Sequence, residues 1–143
     1  MKDGGVMENI RGMNLVVDTT SEWSVLLDAM ARHYDEGKPA GQIRNVCLSD
    51  CSFTGPGRIW LEGTDDQPLE NIRIQNIDWN INGPIPSPAV TKPTGSARTR
   101  SDPSRPAYEQ EQAHILAIKC PGVNIQGVRL SGSHANRVLL REC

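Results

Sequence analysis

Apolar and polar residues alternate through four stretches of this chain, and the four share one register. The phrases are NIRGMNLVV from Asn9, NVCLSDCSF from Asn45, NIRIQNIDW from Asn71 and GVNIQGVRL from Gly122. Aligned on the first aliphatic, they place Ile10, Val46, Ile72 and Val123 in one column and Gly12, Leu48, Ile74 and Ile125 in the next. Leu15, Cys51, Ile77 and Val128 form a third column, and Val17, Phe53, Trp79 and Leu130 a fourth. Within each pair of columns the step is two residues, the period that sends alternate side chains to one face of a strand. Between the second and third columns the step is three, so the chain must turn a corner there to keep the same side buried. Asn14, Asp50, Asn76 and Gly127 stand immediately before the third column, and these residue types tolerate a left-handed backbone. Each phrase reads as strand, left-handed corner, strand, with a defect at Gly12.

A second apolar element accompanies each phrase: SVLLDA from Ser24, GRIWLEG from Gly57, AHILAIK from Ala113 and NRVLLRE from Asn136. Each copy thus supplies about three short strands. The first aliphatics are 36, 26 and 51 residues apart, and the last interval holds one second element, so it reads as one coil carrying a long insertion. A repeat of this size, with a corner between two of its strands, predicts an all-β fold. Its form is a right-handed single-stranded parallel β-helix of about four coils, one partial domain over residues 1–143. Coils would stack at ~4.8 Å, like column over like. Asn9, Asn45 and Asn71 would stack too and pair their amides along the axis. The competing reading is an antiparallel sandwich. Asn82-Gly83 is a hairpin dipeptide, but Pro84 suits a returning strand badly, and a sandwich predicts alternation without a shared corner. A leucine-rich repeat lacks its leucine spacing here.

Residues 83–106, GPIPSPAVTKPTGSARTRSDPSRP, carry six prolines together with Lys92, Arg98, Arg100 and Arg105. No core strand tolerates that composition, and an insertion is expected over about 83–112 as a surface loop, with a basic flap over an anionic sugar or phosphate as its functional reading. Net charge is -2, from 15 basic and 17 acidic residues, so no overall field recruits nucleic acid or an anionic membrane. No run approaches the ~20 apolar residues of a membrane helix. MKDGGVMENIRG lacks the apolar core of a secretory signal, which leaves localisation open. Cys51 falls on an inward column. Cys47, Cys120 and Cys143 are free or bridged, and the four cysteines lack the paired spacing of a zinc site. Neither a metal nor another cofactor is expected. Nucleophile-elbow, phosphate-loop and zincin motifs are missing from the sequence.

GGVMENIRGMNLVV, GQIRNVCLSDCSFTG and PLENIRIQNIDW resemble the coils of right-handed β-helix carbohydrate enzymes, above all the polygalacturonase family of glycoside hydrolases. The likeness covers residues 4–82 and, more faintly, 102–130. It implies an inverting hydrolase of pectin-like polysaccharide, with one carboxylic acid protonating the leaving oxygen and carboxylate bases activating water across a gap. The family's catalytic Asn-Thr-Asp, Asp-Asp, Gly-His-Gly and Arg-Ile-Lys are not intact here. Asp65-Asp66 lies in the turn GTDDQP, Arg58-Ile59-Trp60 lacks the lysine, and Arg32-His33-Tyr34 has a histidine without its glycines. The resemblance therefore implies a C-terminal fragment that begins after the catalytic coils, from relatives expected to be secreted or periplasmic, and no catalytic residue is assigned.

Arg32, His33 and Tyr34 are the expected substrate contacts, since a guanidinium can grip a uronate carboxylate and a tyrosine ring can pack on a sugar face. An ordinary polar loop is the plainer account of DAMARHYDEGKPAG. Trp23 and Trp60 are further candidate sugar platforms, whereas Phe53 and Trp79 fall on inward columns. The alternative function is a non-catalytic polysaccharide-binding or structural β-helix of adhesin or tailspike type. The expected partners are a polysaccharide, acidic or neutral, and further copies of the chain joined end to end through uncapped coils. A lyase would need a calcium-binding carboxylate cluster, which the sequence does not offer.

Overall fold

The computed structural model describes residues 5–18, 23–29, 41–85, 113–132 and 138–143. They form ten strands: β1 (Val6–Met13), β2 (Val16–Asp18), β3 (Trp23–Asp28), β4 (Gln42–Thr54), β5 (Arg58–Glu62), β6 (Glu70–Ile81), β7 (Ile115–Ile118), β8 (Asn124–Gln126), β9 (Arg129–Gly132) and β10 (Val138–Arg141). The described residues contain no helix. Arg32, His33, Tyr34 and most of the proline-rich segment lie outside them.

All the strand pairings are parallel, and the strands fall into two sheets. The larger runs β1-β4-β6-β8, with β2 also beside β4 and β9 also beside β6; the smaller runs β10-β7-β5-β3. In both sheets the neighbours are successive copies of the same phrase. Ile10 aligns with Val46 and Val46 with Ile72, while Leu48 aligns with Ile74 and Ile74 with Ile125. Across the fourth column Val17 faces Phe53, Phe53 faces Trp79, and Trp79 faces Leu130. Parallel pairing in this order rules out the antiparallel sandwich for these strands and is compatible with the expected winding.

The four columns make the core. Val46, Leu48, Cys51 and Phe53 from β4 pack with Ile72, Ile74, Ile77 and Trp79 from β6, and Ile59, Leu61, Ile115 and Ala117 close the other side from the smaller sheet. Phe53 and Trp79 meet edge to face, with centroids 5.2 Å apart and planes at 85°, and Trp79 meets His114 in the same way at 5.8 Å. The Trp79 indole donates to the Gly55 carbonyl at 3.0 Å. Nδ1 of buried His114 lies 2.9 Å from the Gly57 carbonyl, an acceptor only, so this nitrogen carries the proton. The defect at Gly12 also has a cause. A Cβ there would stand 3.1 Å from Cδ1 of Leu48 and 3.4 Å from Cδ1 of Leu15, so neighbouring leucines occupy the missing side chain's space.

The corners are left-handed as the residue types predict: φ is 55° at Asn14, 56° at Asp50, 52° at Asn76 and 64° at Gly127. The backbone bends without breaking the ladder, so β4 and β6 each run through their corner as one strand. A second left-handed set lies five residues earlier, at Asn9 (60°), Asn45 (55°) and Asn71 (51°), with Gly122 (71°) completing it. Here the amides pair as expected. Asn45 Nδ2 donates to Asn9 Oδ1 at 3.2 Å, and Asn71 Nδ2 donates to Asn45 Oδ1 at 2.8 Å. Lys119 and Glu142 adopt the same conformation, at 51° and 52°, where their residue types give no hint of it.

The smaller sheet is covered on both faces. Trp60, Leu116, Ile118 and Ala113 form a second cluster with Trp23, Leu26 and Leu139 on the side away from the main core. That is why GRIWLEG and AHILAIK read as continuous apolar runs and not as alternations. At the edges of the two sheets, apolar residues are exposed: Ile10 on β1 and Leu15 just after it in the larger sheet, and Val138 and Leu140 on β10 in the smaller.

Candidate functional site

Trp60 cannot serve as a sugar platform. It is 1% exposed, its indole donates to Glu62 Oε2 at 2.8 Å, and the Arg58 guanidinium lies 5.3 Å from its ring centroid. Trp23 is only half-buried and packs against the same cluster. Asp65-Asp66 is a solvated turn, held by Thr64 N donating to Gln67 O and Gln67 N donating to Thr64 Oγ1, each at 3.0 Å. Asp65 is ion-paired with Lys119, which also lies 3.4 Å from Glu142. The bond that Lys119 Nζ donates to Asp65 Oδ1 raises the ammonium's pKa above its ordinary value against the cost of desolvation, and the charges of Asp65 and Glu142 add to the rise.

The outward face of the six-stranded sheet is a polar surface that the fold organises. Because the apolar columns point inward, the residues between them point out, and strand pairing aligns them into rows. Arg11, Cys47, Arg73 and Asn124 form one row. Met13, Ser49, Gln75 and Gln126 form the next. Beyond the corner come Val16, Ser52, Asp78 and Arg129, then Asp18, Thr54, Asn80 and Ser131.

Several charges on this face are already matched. Arg44 Nε lies 2.6 Å from Glu8 Oε2, and Arg129 Nη1 lies 3.1 Å from Asp78 Oδ1. Exposed pairs of this kind add little stability, but they neutralise each other. Arg73 Nε donates to Asn71 Oδ1 at 3.3 Å, which ties it to the asparagine ladder. Asp50, at the corner, accepts from Asn76 Nδ2 at 3.0 Å. That bond first, then one from Ser49, holds its carboxyl below the ordinary value.

The result is a rigid array of donors and acceptors repeated at ~4.8 Å from rung to rung. It offers guanidinium and amide groups to hydroxyls or carboxylates of an extended ligand. The expected contact residues Arg32, His33 and Tyr34 lie outside the described residues, so they cannot be set beside this face. Arg11, Arg73, Asn124 and Gln126 were not singled out in the sequence. Their signal was there, since they occupy the unconstrained positions of the repeat, but only stacking turns such positions into rows. Among the described residues no group of three or more His, Cys, Asp or Glu side chains could hold a metal ion.

Comparison with known proteins adds no assignment to this geometry: no protein-family model, no curated protein and no solved structure matches the chain.

Proposed function

We propose that the chain winds as a right-handed single-stranded parallel β-helix and holds a polysaccharide strand, of the pectin-like kind, along the outward face of its larger sheet. Support for the winding comes from the parallel pairing of successive phrases in chain order in both sheets; right-handedness follows the general rule for connections between parallel strands. Support for the ligand comes chiefly from one observation: Arg11, Arg73 and Asn124 in register with each other and flanked by Gln75 and Gln126. The role is binding. Inverting hydrolysis needs two carboxyl groups facing a substrate across a gap, whereas Glu8 and Asp78 on this face are each engaged by an arginine and Asp18 shares its row with Thr54, Asn80 and Ser131, none of them a carboxylate.

Affinity electrophoresis of the chain in gels containing polygalacturonate, or a neutral galactan as control, tests this. Retardation by polygalacturonate is expected, weakened about tenfold or more in the Arg11→Ala, Arg73→Ala double variant, since each charged hydrogen bond is worth about 1.5–3 kcal/mol. Reducing ends should not accumulate. Unretarded migration in both gels would remove the binding role, and sustained release of reducing ends would restore the hydrolase expected from the family likeness.

A second property, assembly with another copy, is favoured by the two ends of the stack. The last rung presents Val123, Ile125, Val128 and Leu130 at the same spacing with which Ile10, Gly12, Leu15 and Val17 open the first. The tail of one copy can therefore meet the head of another by the rung-to-rung pairing used within the chain. Such a head-to-tail contact does not close. Sedimentation is expected to show mass rising with concentration, and Leu15→Lys, at an exposed edge position, is expected to suppress the rise. A monomer throughout would contradict it.

A further inference from the structure

Strands β7 and β10 end on matching residues. Ile118 is paired with Arg141, and the residues that follow, Lys119 and Glu142, take nearly identical left-handed conformations. Lys119 N donates to Arg141 O at 2.9 Å, so the ladder continues beyond the last paired residues. One residue further, Cys120 and Cys143 hold equivalent positions just beyond the ends of the paired strands β7 and β10. Their thiols also point alike: Cys120 Sγ donates to Ile118 O and Cys143 Sγ to Arg141 O, both at 3.2 Å. Cys143 Sγ reaches across to Ala117 O on β7 at 3.5 Å. Cys120 Sγ also lies 3.7 Å from Leu61 O, so both thiols sit over the backbone of the smaller sheet.

Adjacent strands lie about 4.7–4.9 Å apart, within the Cα separation of about 4.4–6.8 Å that a disulfide spans. The other cysteines have no such neighbour. Cys47 stands between Arg11 and Arg73 on the outward face, and Cys51 is buried, aligned with Ile77 and donating to Ser49 O at 3.0 Å. We propose that Cys120 and Cys143 form a modification site, closing to a disulfide that ties the outermost strand β10 to β7.

The oxidant is a low-molecular-weight disulfide such as oxidised glutathione. Cys143 is exposed and Cys120 is 0% exposed, which sets the order of events. Burial, reinforced by the neighbouring Cys143, also pushes the Cys120 thiol up to about 12, so it is a poor first attacker. The Cys143 thiolate attacks one sulfur of the oxidised glutathione, and the other leaves as a glutathione thiolate that takes up a proton. Cys120, deprotonated, then attacks Cys143 Sγ in the mixed disulfide and expels the second glutathione. Two protein thiols lose two electrons, and one glutathione disulfide gains them to become two thiols.

β10 is a four-residue strand that, among the described residues, pairs with β7 alone and exposes Val138 and Leu140, so it is the element whose local opening the bond restrains. The full chain, incubated with oxidised glutathione, then alkylated and mapped by mass spectrometry under non-reducing conditions, tests this. Two of the four thiols should disappear, a peptide pair joined through Cys120 and Cys143 should be found, and amide exchange in β10 should slow by about tenfold or more. Cys120→Ser should stop at a glutathione adduct on Cys143, and Cys143→Ser should leave Cys120 unmodified. Four free thiols, a stable glutathione adduct on Cys143 of the unsubstituted chain, or a linkage of either residue to Cys47 or to another copy would each overturn the assignment.

Discussion

Trp79→Ala is expected to remove most of the stability of the chain. The indole is 1% exposed, stacks edge to face against Phe53 and His114, and satisfies the Gly55 carbonyl. Deleting a buried aromatic of this size costs about 3–5 kcal/mol, because lost transfer energy is joined by an unfilled cavity. Whole domains are stable by only about 5–15 kcal/mol. The neighbours on either side in the column, Phe53 and Leu130, cannot collapse into the space without leaving their own rungs. Urea denaturation followed by circular dichroism should show the midpoint falling steeply or the transition disappearing. Trp79→Phe should lie between, keeping most of the ring contact and losing the bond to Gly55. A loss below about 1 kcal/mol in the alanine variant would mean that the fourth column is not packed as described.

The second large effect belongs to Asn45, which is exposed, so that a surface reading would predict almost nothing. Its φ of 55° costs a residue with an ordinary Cβ roughly 1–2 kcal/mol. Its amide makes two bonds of the ladder, to Asn9 and from Asn71, worth about 0.5–1.5 kcal/mol each. Asn45→Ala takes on the backbone cost and loses both bonds, and is expected to cost about 2–5 kcal/mol. Asn45→Gly keeps the backbone conformation and loses only the ladder, so it should cost less. Urea midpoints with unchanged slopes give the two values. If alanine and glycine proved equally costly, the left-handed backbone would carry no energy, and the conformational account of the corners would fail.

These two sites show what could be read in advance. The third and fourth columns were visible as a period of two, and the corner before them as a step of three filled by Asn, Asp, Asn and Gly. The stacking of Asn9, Asn45 and Asn71 followed from recurrence alone. Their left-handed conformation did not, because asparagine is equally at home as a polar residue in an extended strand. At Lys119 and Glu142 the residue types argue against the conformation found. There the hydrogen bonds of Lys119, from its N to Arg141 O and to its O from Leu69 N, fix the chain path. Trp60 departs from its expected outward place for a similar reason. Its strand is covered on both faces, and alternation cannot tell an outward tryptophan from one covered by a second cluster.

By itself the sequence determined the period, the inward columns, the corners and the strand character, since each is a local preference repeated until chance is an unattractive explanation. Only the tertiary structure decided which copies became neighbours. That choice turned Arg11, Arg73 and Asn124 into a row and brought Cys120 beside Cys143, because strand pairing joins residues tens of positions apart that no local preference links.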